Sequence, residues 1–322
     1  MKQPNYTYSQ LSSSSVAELV PRFYDVGSIK TCRFYVLGLH DNYLVDTESD
    51  KFILRIYRNN WRSPEEVHFE LTLLNFLRRN GAPVAAPVAN KNNKLYFEIE
   101  CPEGNRLITM FPYAEGVAPG RDISLSQSKL LGSAVANTHS CADAFKCEGF
   151  DKVLDIQYLL DQSVSAINPY LSSEQKVYIE TLQTRLTKSL PFIPKRKPAY
   201  GICLGDVNPT NFHIDAQQQI TLFDFDQCGY GYRAFEIGKF NSSIGHLKNH
   251  TAFSQAFLEG YQSIRPLSNE ECYSVPLFEI ISHIWVMAIH VYNADRVGHK
   301  LLERPFWVSR LAVVQSLENV LG

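Results

Sequence analysis

"ICLGDVNPTNFHID", residues 202–215, brings an apolar run to Gly205 and Asp206, breaks at Pro209 and Asn211, and returns at once to a strand-like alternation. A surface turn accounts for the proline and the two asparagines. It does not account for the next segment, "ITLFDFDQCGYG" (220–231), a second apolar strand ending on Asp224 and Asp226. Phe212 and Ile214 alternate with His213 and Asp215, "AQQQ" supplies a turn, and Ile220, Leu222 and Phe223 lead to Asp224. A tight hairpin brings its open ends together, so Asp206 and Asn211 are expected to face Asp224 across a small gap. Two carboxylates and an amide at one loop end offer the hard oxygens that Mg2+ takes, often together with substrate phosphates. Taken singly, each of these residues reads as turn chemistry. The spacing and the hairpin make a site of them.

Outward from this hairpin the chain divides by pattern. Residues 12–24 read as a short helix behind a serine-rich cap, and "CRFYVLGLHDNYLVDT" (32–47) and "KFILRIYRN" (51–59) read as strands. A helix follows over 63–81, with Ser63 as N-cap, Pro64 in its first turn, Glu66 completing the capping box and Gly81 at its end. "RLITMFPYAEG" (106–116) is a strand running into a linker, and from about residue 124 the pattern is mainly helical apart from 199–226. The expectation is an α+β fold of two lobes: a small β-sheet lobe with one main helix over 1–111, and a larger helical lobe over 112–322, hinged at about 110–116.

Composition sets outer limits. At 322 residues the chain is long enough for two cores, and a net charge of −2 points to neither nucleic acid nor an anionic membrane as partner. Its seven cysteines show no metal-ligand spacing and suit a reducing, cytoplasmic compartment. The most apolar stretch, "PLFEIISHIWVMAIHVY" (276–292), carries Glu279, His283 and His290 and reads as a core helix, not a membrane span. Oligomeric state is left open.

The pair "LGDVNPTN" (204–211) and "LFDFD" (222–226) resembles the H-G-D-x-H-x-x-N…I-D-F-D signature of the aminoglycoside phosphotransferase/choline kinase-like family, whose fold is that of the protein kinases. "FELTLLNFLRRNGAPVAAP" (69–87), "ITMFPYAEG" (108–116), "LGSAVANTHS" (131–140) and "GYQSIRPLSNEE" (260–271) resemble further family segments in the family's order. Two positions depart from it, Leu204 and Asn208, where histidines are usual. The resemblance implies ATP and Mg2+ as cofactors, Asp206 as the base that receives the acceptor's proton, and Asn211 and Asp224 as metal ligands. It also implies a phosphate-binding cation on a first-lobe strand paired to a helix carboxylate. Arg55 is the available cation, and Glu70 falls inside the apolar stripe of Val67, Leu71 and Leu74, where a carboxylate needs a partner. The β-hairpin "LGLHDNYLV" (37–45) offers Asn42 to phosphate, and adenine would meet the backbone of the hinge residues Met110, Phe111 and Tyr113.

Several readings compete: a small-molecule kinase, a Ser/Thr protein kinase of the bacterial stress-response type, a nucleotide-binding pseudokinase, and a metal-dependent hydrolase. "FDQCGYGYRAFEIGKFN" (225–241) contains no Ser or Thr and no A-P-E-like end, which favours a small hydroxyl-bearing acceptor. Beyond Asn241, seven acids against six Lys and Arg favour homoserine, an amino alcohol or a sugar over a polycationic aminoglycoside. His139 reads as a packing residue, as do His283, Met287 and His290 on one helical face, and Cys228 as a small filler. The 150–195 segment, with its tail "LPFIPKRKP" (190–198), is expected to shape a pocket mouth.

Overall fold

The computed structural model describes residues 5–190 and 193–321. The chain forms two compact units, Met1–Glu115 with Cys147–Phe150, and Gly116–Lys146 with Asp151–Gly322. The class is α+β, with antiparallel pairing throughout except for one two-residue parallel contact.

The first unit is a five-stranded antiparallel sheet in the order β1-β2-β3-β5-β4. Its strands are β1 (Ile29–Leu37), β2 (Asp41–Thr47), β3 (Lys51–Ile56), β4 (Phe97–Cys101) and β5 (Gly104–Pro112), with helices α1 (Ser13–Phe23) and α2 (Pro64–Arg79). Strand alternation sorts its side chains. Tyr43, Val45, Leu54, Ile56, Ile108 and Met110 point into a core closed by Val16 and Val20 of α1. The neighbours Asn42, Arg55 and Thr109, paired in register across β2, β3 and β5, take the other face. α2 begins where the sequence marks it. The Ser63 hydroxyl accepts from the Glu66 N–H, and the Glu66 carboxylate accepts from the Ser63 N–H, which satisfies two of the helix's orphan donors.

The second unit is mainly helical: α3 (Leu125–Ala142), α4 (Gln162–Ile167), α5 (Ser173–Ser189), α6 (Ala234–Ile244), α7 (His250–Gln262), α8 (Asn269–Val297) and α9 (Arg304–Leu321). Between them run β6 (Val153–Leu154), β7 (Tyr200–Cys203), β8 (Phe212–Ile214), β9 (Ile220–Leu222) and β10 (Gly229–Tyr232). The expected hairpin is β8–β9, with Phe212 opposite Leu222. β10 pairs with β7, so the chain doubles back beside the strand that leads into Asp206. The 150–195 segment, expected to shape a pocket mouth, contributes to the core. Leu159, Leu160, Ile167, Ile179, Leu182 and Leu186 pack into the unit's hydrophobic core with Phe278, Trp285 and Trp307. Pro191 and Phe192 of its tail lie outside the described residues. α8 is the one described helix with the length and composition to cross a membrane, and most of its apolar window is buried in this core.

Candidate active site

The loop between β7 and β8 has its shape fixed by Gly205. Its φ is +91°, and a Cβ there would lie 2.2 Å from the Gln227 carbonyl oxygen, so only glycine lets the two backbones pass. Asp206 follows directly. Its Oδ2 accepts from the Asn211 amide (2.9 Å) and the Asn208 amide (3.1 Å), and both amides also reach its carbonyl oxygen. Asn208 in turn accepts from the Thr210 N–H, closing an Asx-type turn. The Phe223 N–H donates to the Asn211 carbonyl, which extends the hairpin ladder past Leu222 and brings Asp224 alongside. Asp206, Asn211 and Asp224 line one pocket, floored by Leu131, Val135, Leu204 and Leu222. Asp224 is held at φ +66°, a left-handed conformation that glycine favours and Asp and Asn tolerate.

α6 holds this loop from behind through two residues the sequence reading missed. Glu236, fully buried, accepts from the Leu204 N–H (2.7 Å) and the Gly205 N–H (2.9 Å). One helical turn on, the Lys239 ammonium, itself 4% exposed, lies 2.8 Å from Asp206 Oδ1. α6 stays in place because Gly238 sits against the backbone of α8, where a Cβ would come within 2.6 Å of the Glu279 N–H nitrogen. Burial pushes the Glu236 carboxyl up to about 7, against the pull of the two amides and Lys239. Beside it His139 is fully buried, its Nδ1 2.8 Å from the Tyr261 hydroxyl and its Nε2 3.5 Å from Glu236. Burial, with Arg233 and Arg265 nearby, drives the imidazole well below its usual range, so His139 is a neutral packing group.

In the first unit, Arg55 and Glu70 are both buried, with Arg55 Nη1 3.3 Å from Glu70 Oε1. The Tyr57 hydroxyl donates to the other carboxylate oxygen (2.9 Å), Arg55 Nε reaches the Asn42 amide oxygen (3.4 Å), and the guanidinium lies over the Phe111 ring. Asn42, Arg55, Glu70 and Phe111 are therefore brought together, and Tyr57 joins them. Met110 is not among them. Strand alternation turns its side chain into the core, and its carbonyl accepts from the Val88 N–H. Tyr113 lies further along, its N–H donated to the Lys51 carbonyl and its ring edge-on to Tyr35. The bond with Tyr35, then burial, pushes its phenol up to about 12.

Several other residues near these elements are held by packing. Met287 is buried, His290 meets the Phe306 ring, Cys228 is a buried filler, and the Gln227 amide donates to buried Asp226. Burial lifts the Glu279 carboxyl to about 7, opposed by a bond from Asn241. A folded value above the unfolded one means that this group's contribution is full below about 4.5 and is lost as pH rises through about 7. Glu279→Gln removes that dependence. The variant should gain stability relative to the parent between pH 5 and 8, by at most about 3 kcal/mol and less after solvent screening. Urea midpoints of both proteins at the two pH values measure it, and parallel midpoints would contradict the burial argument.

The donor set suits a hard cation. No group of three or more His, Cys, Asp or Glu side chains converges among the described residues, so an all-protein cage is not built. Two carboxylates and an amide on one pocket match Mg2+, which fills its octahedron with water and substrate oxygens.

The model of APH, a phosphotransferase enzyme family, matches residues 32–271. An uncharacterized protein of Synechocystis sp. is 39% identical over 96% of this chain and 86% of its own length. The homoserine kinase of Rhodopseudomonas palustris is 24% identical, covering 97% of this chain and 95% of its own. Among solved structures, an amicoumacin kinase in complex with AMP-PNP, Ca2+ and Ami superposes with a TM-score of 0.79 at 19% identity, over 96% of this chain and 94% of that one. That likeness establishes a shared fold.

Proposed function

Because the chain belongs to the APH phosphotransferase enzyme family, we propose that it moves the γ-phosphoryl group of ATP to a hydroxyl of a small molecule, with Mg2+ as the metal. The observation that carries this reading is the convergence of Asp206, Asn211 and Asp224 on one pocket. Asp206 accepts the proton of the attacking hydroxyl, and its carboxylate is already oriented for this by two amides. Asn211 and Asp224 hold the metal. When bound, Mg2+ neutralises charge developing on the phosphate oxygens. Arg55, fixed by Glu70 and Asn42, offers its guanidinium to phosphate oxygens, a role in which its fork geometry replaces the point charge of lysine. The main chain around Phe111 and Tyr113 is the place for adenine.

A small acceptor is favoured over a protein because the chain passes from Asp224 to β10 and α6 with no long loop of the protein-kinase type between them. The homoserine kinase likeness makes L-homoserine the first acceptor to try, with other amino alcohols next. A cytoplasmic location belongs to the same proposal. The test supplies purified protein with γ-labelled ATP, Mg2+ and either L-homoserine or a host extract split into metabolite and protein fractions. Label should enter a small molecule and vanish when EDTA replaces Mg2+. Label in proteins instead would overturn the choice of acceptor, and label surviving EDTA would overturn the metal.

A further inference from the structure

The Asp206 carboxylate is surrounded before any ligand arrives. Oδ2 is taken by two amides of its own loop, and Oδ1 by the ammonium of Lys239, which arrives from a separate helix. A lysine this deeply buried is rare and requires an anion beside it. The same helix, three residues earlier, supplies Glu236 to the two peptide N–H groups just before Asp206. One face of α6 thus fixes the loop backbone with a carboxylate and the end of its functional side chain with an ammonium. Rotation about χ2 carries both oxygens together and is broad for a carboxylate, so the ion pair at Oδ1 adds to the two amide bonds at Oδ2 a restraint from outside the loop.

We propose that Lys239 is a positioning residue for phosphoryl transfer, locking the plane of the Asp206 carboxylate so that it meets the acceptor hydroxyl in one orientation. The proposal rests on the reading of Asp206 as the group that receives the hydroxyl proton. Lys239 acts through Asp206 and touches neither substrate. Misplacing a reacting group by about 1 Å costs on the order of 100-fold in rate, so the effect is large and confined to turnover.

Four proteins decide it: wild type, Lys239→Met, Asp206→Asn and the double variant, with Lys239→Arg as a fifth. In thermal denaturation, Asp206→Asn should melt below wild type because it strands a buried ammonium, and adding Lys239→Met should recover most of the loss. Simple addition of the two losses would overturn the pairing. For turnover, the probes are γ-labelled ATP with L-homoserine and, in parallel, ADP release with water as acceptor. Lys239→Met should lower kcat about 30- to 100-fold with KM for ATP and the Kd of Mg·AMP-PNP within about threefold, and Lys239→Arg should return to within about tenfold of wild type. In the Asp206→Asn background Lys239→Met should cost nothing further. A packing role for Lys239 would instead cost activity in both backgrounds, and that result would overturn the proposal. Wild-type protein inert towards homoserine would count against that acceptor alone, and the melting cycle and ADP release would still decide the role of Lys239.

Discussion

Asp206→Asn lowers kcat by about 10³-fold while leaving nucleotide affinity within a few-fold of wild type. The side chain is isosteric, so Asn208 and Asn211 still find an oxygen on the new amide after a flip, and the loop backbone keeps its two bonds to Glu236. What disappears is the capacity to receive a proton, together with the ion pair to Lys239. Metal and nucleotide contacts assigned to Asn211, Asp224 and Arg55 are untouched, which separates chemistry from binding. Single-turnover transfer from γ-labelled ATP gives the rate, and calorimetry with Mg·AMP-PNP gives the affinity. Turnover within tenfold of wild type would remove Asp206 from the role of base. Loss of nucleotide binding would instead make it a metal ligand.

Gly205→Ala destabilises the second unit by about 3 kcal/mol, the sum of a left-handed conformation imposed on an L-residue and a clash with backbone that cannot rotate away. The atom in the way is the Gln227 carbonyl oxygen, only a few residues beyond Asp224. Relief of the clash therefore has to move either Asp206 or the Asp224 turn, and activity should fall with stability. Urea denaturation followed by tryptophan fluorescence reports the first loss, since two of the three tryptophans, Trp285 and Trp307, belong to that unit's core. An unchanged midpoint would mean that the loop and the turn at Gln227 are not held together in solution.

How much of this was legible in the sequence depended on whether a residue's partner was local. The β8–β9 hairpin, the capping box of α2 and the Asp206–Asn211 turn are set by neighbours within a few positions, and pattern reading finds them. Glu70 was found at longer range because a carboxylate inside an apolar helical stripe demands a cation. The same argument applied to "AFEIGKFN" would have flagged Glu236 and Lys239, two charges in a buried run, yet their partners lie some thirty residues back across a strand and a hairpin. Asn208 looked like a mere departure from a motif, and its amide proves to hold the neighbouring carboxylate. Met110 shows what a side-chain pattern leaves silent: its side chain belongs to the core, and the contact expected of it is one of the backbone.

The attachment of the Asp206 loop to α6, and of α6 to α8, has a consequence for how such a protein can change over evolutionary time. On the proposed reading of Asp206, its geometry rests on the same packing that keeps the unit folded, so selection for foldedness would also preserve the chemistry. A surface that meets the acceptor would carry no such double duty and could drift. The result is a division of labour: an engine inherited with the core, and a replaceable mouth.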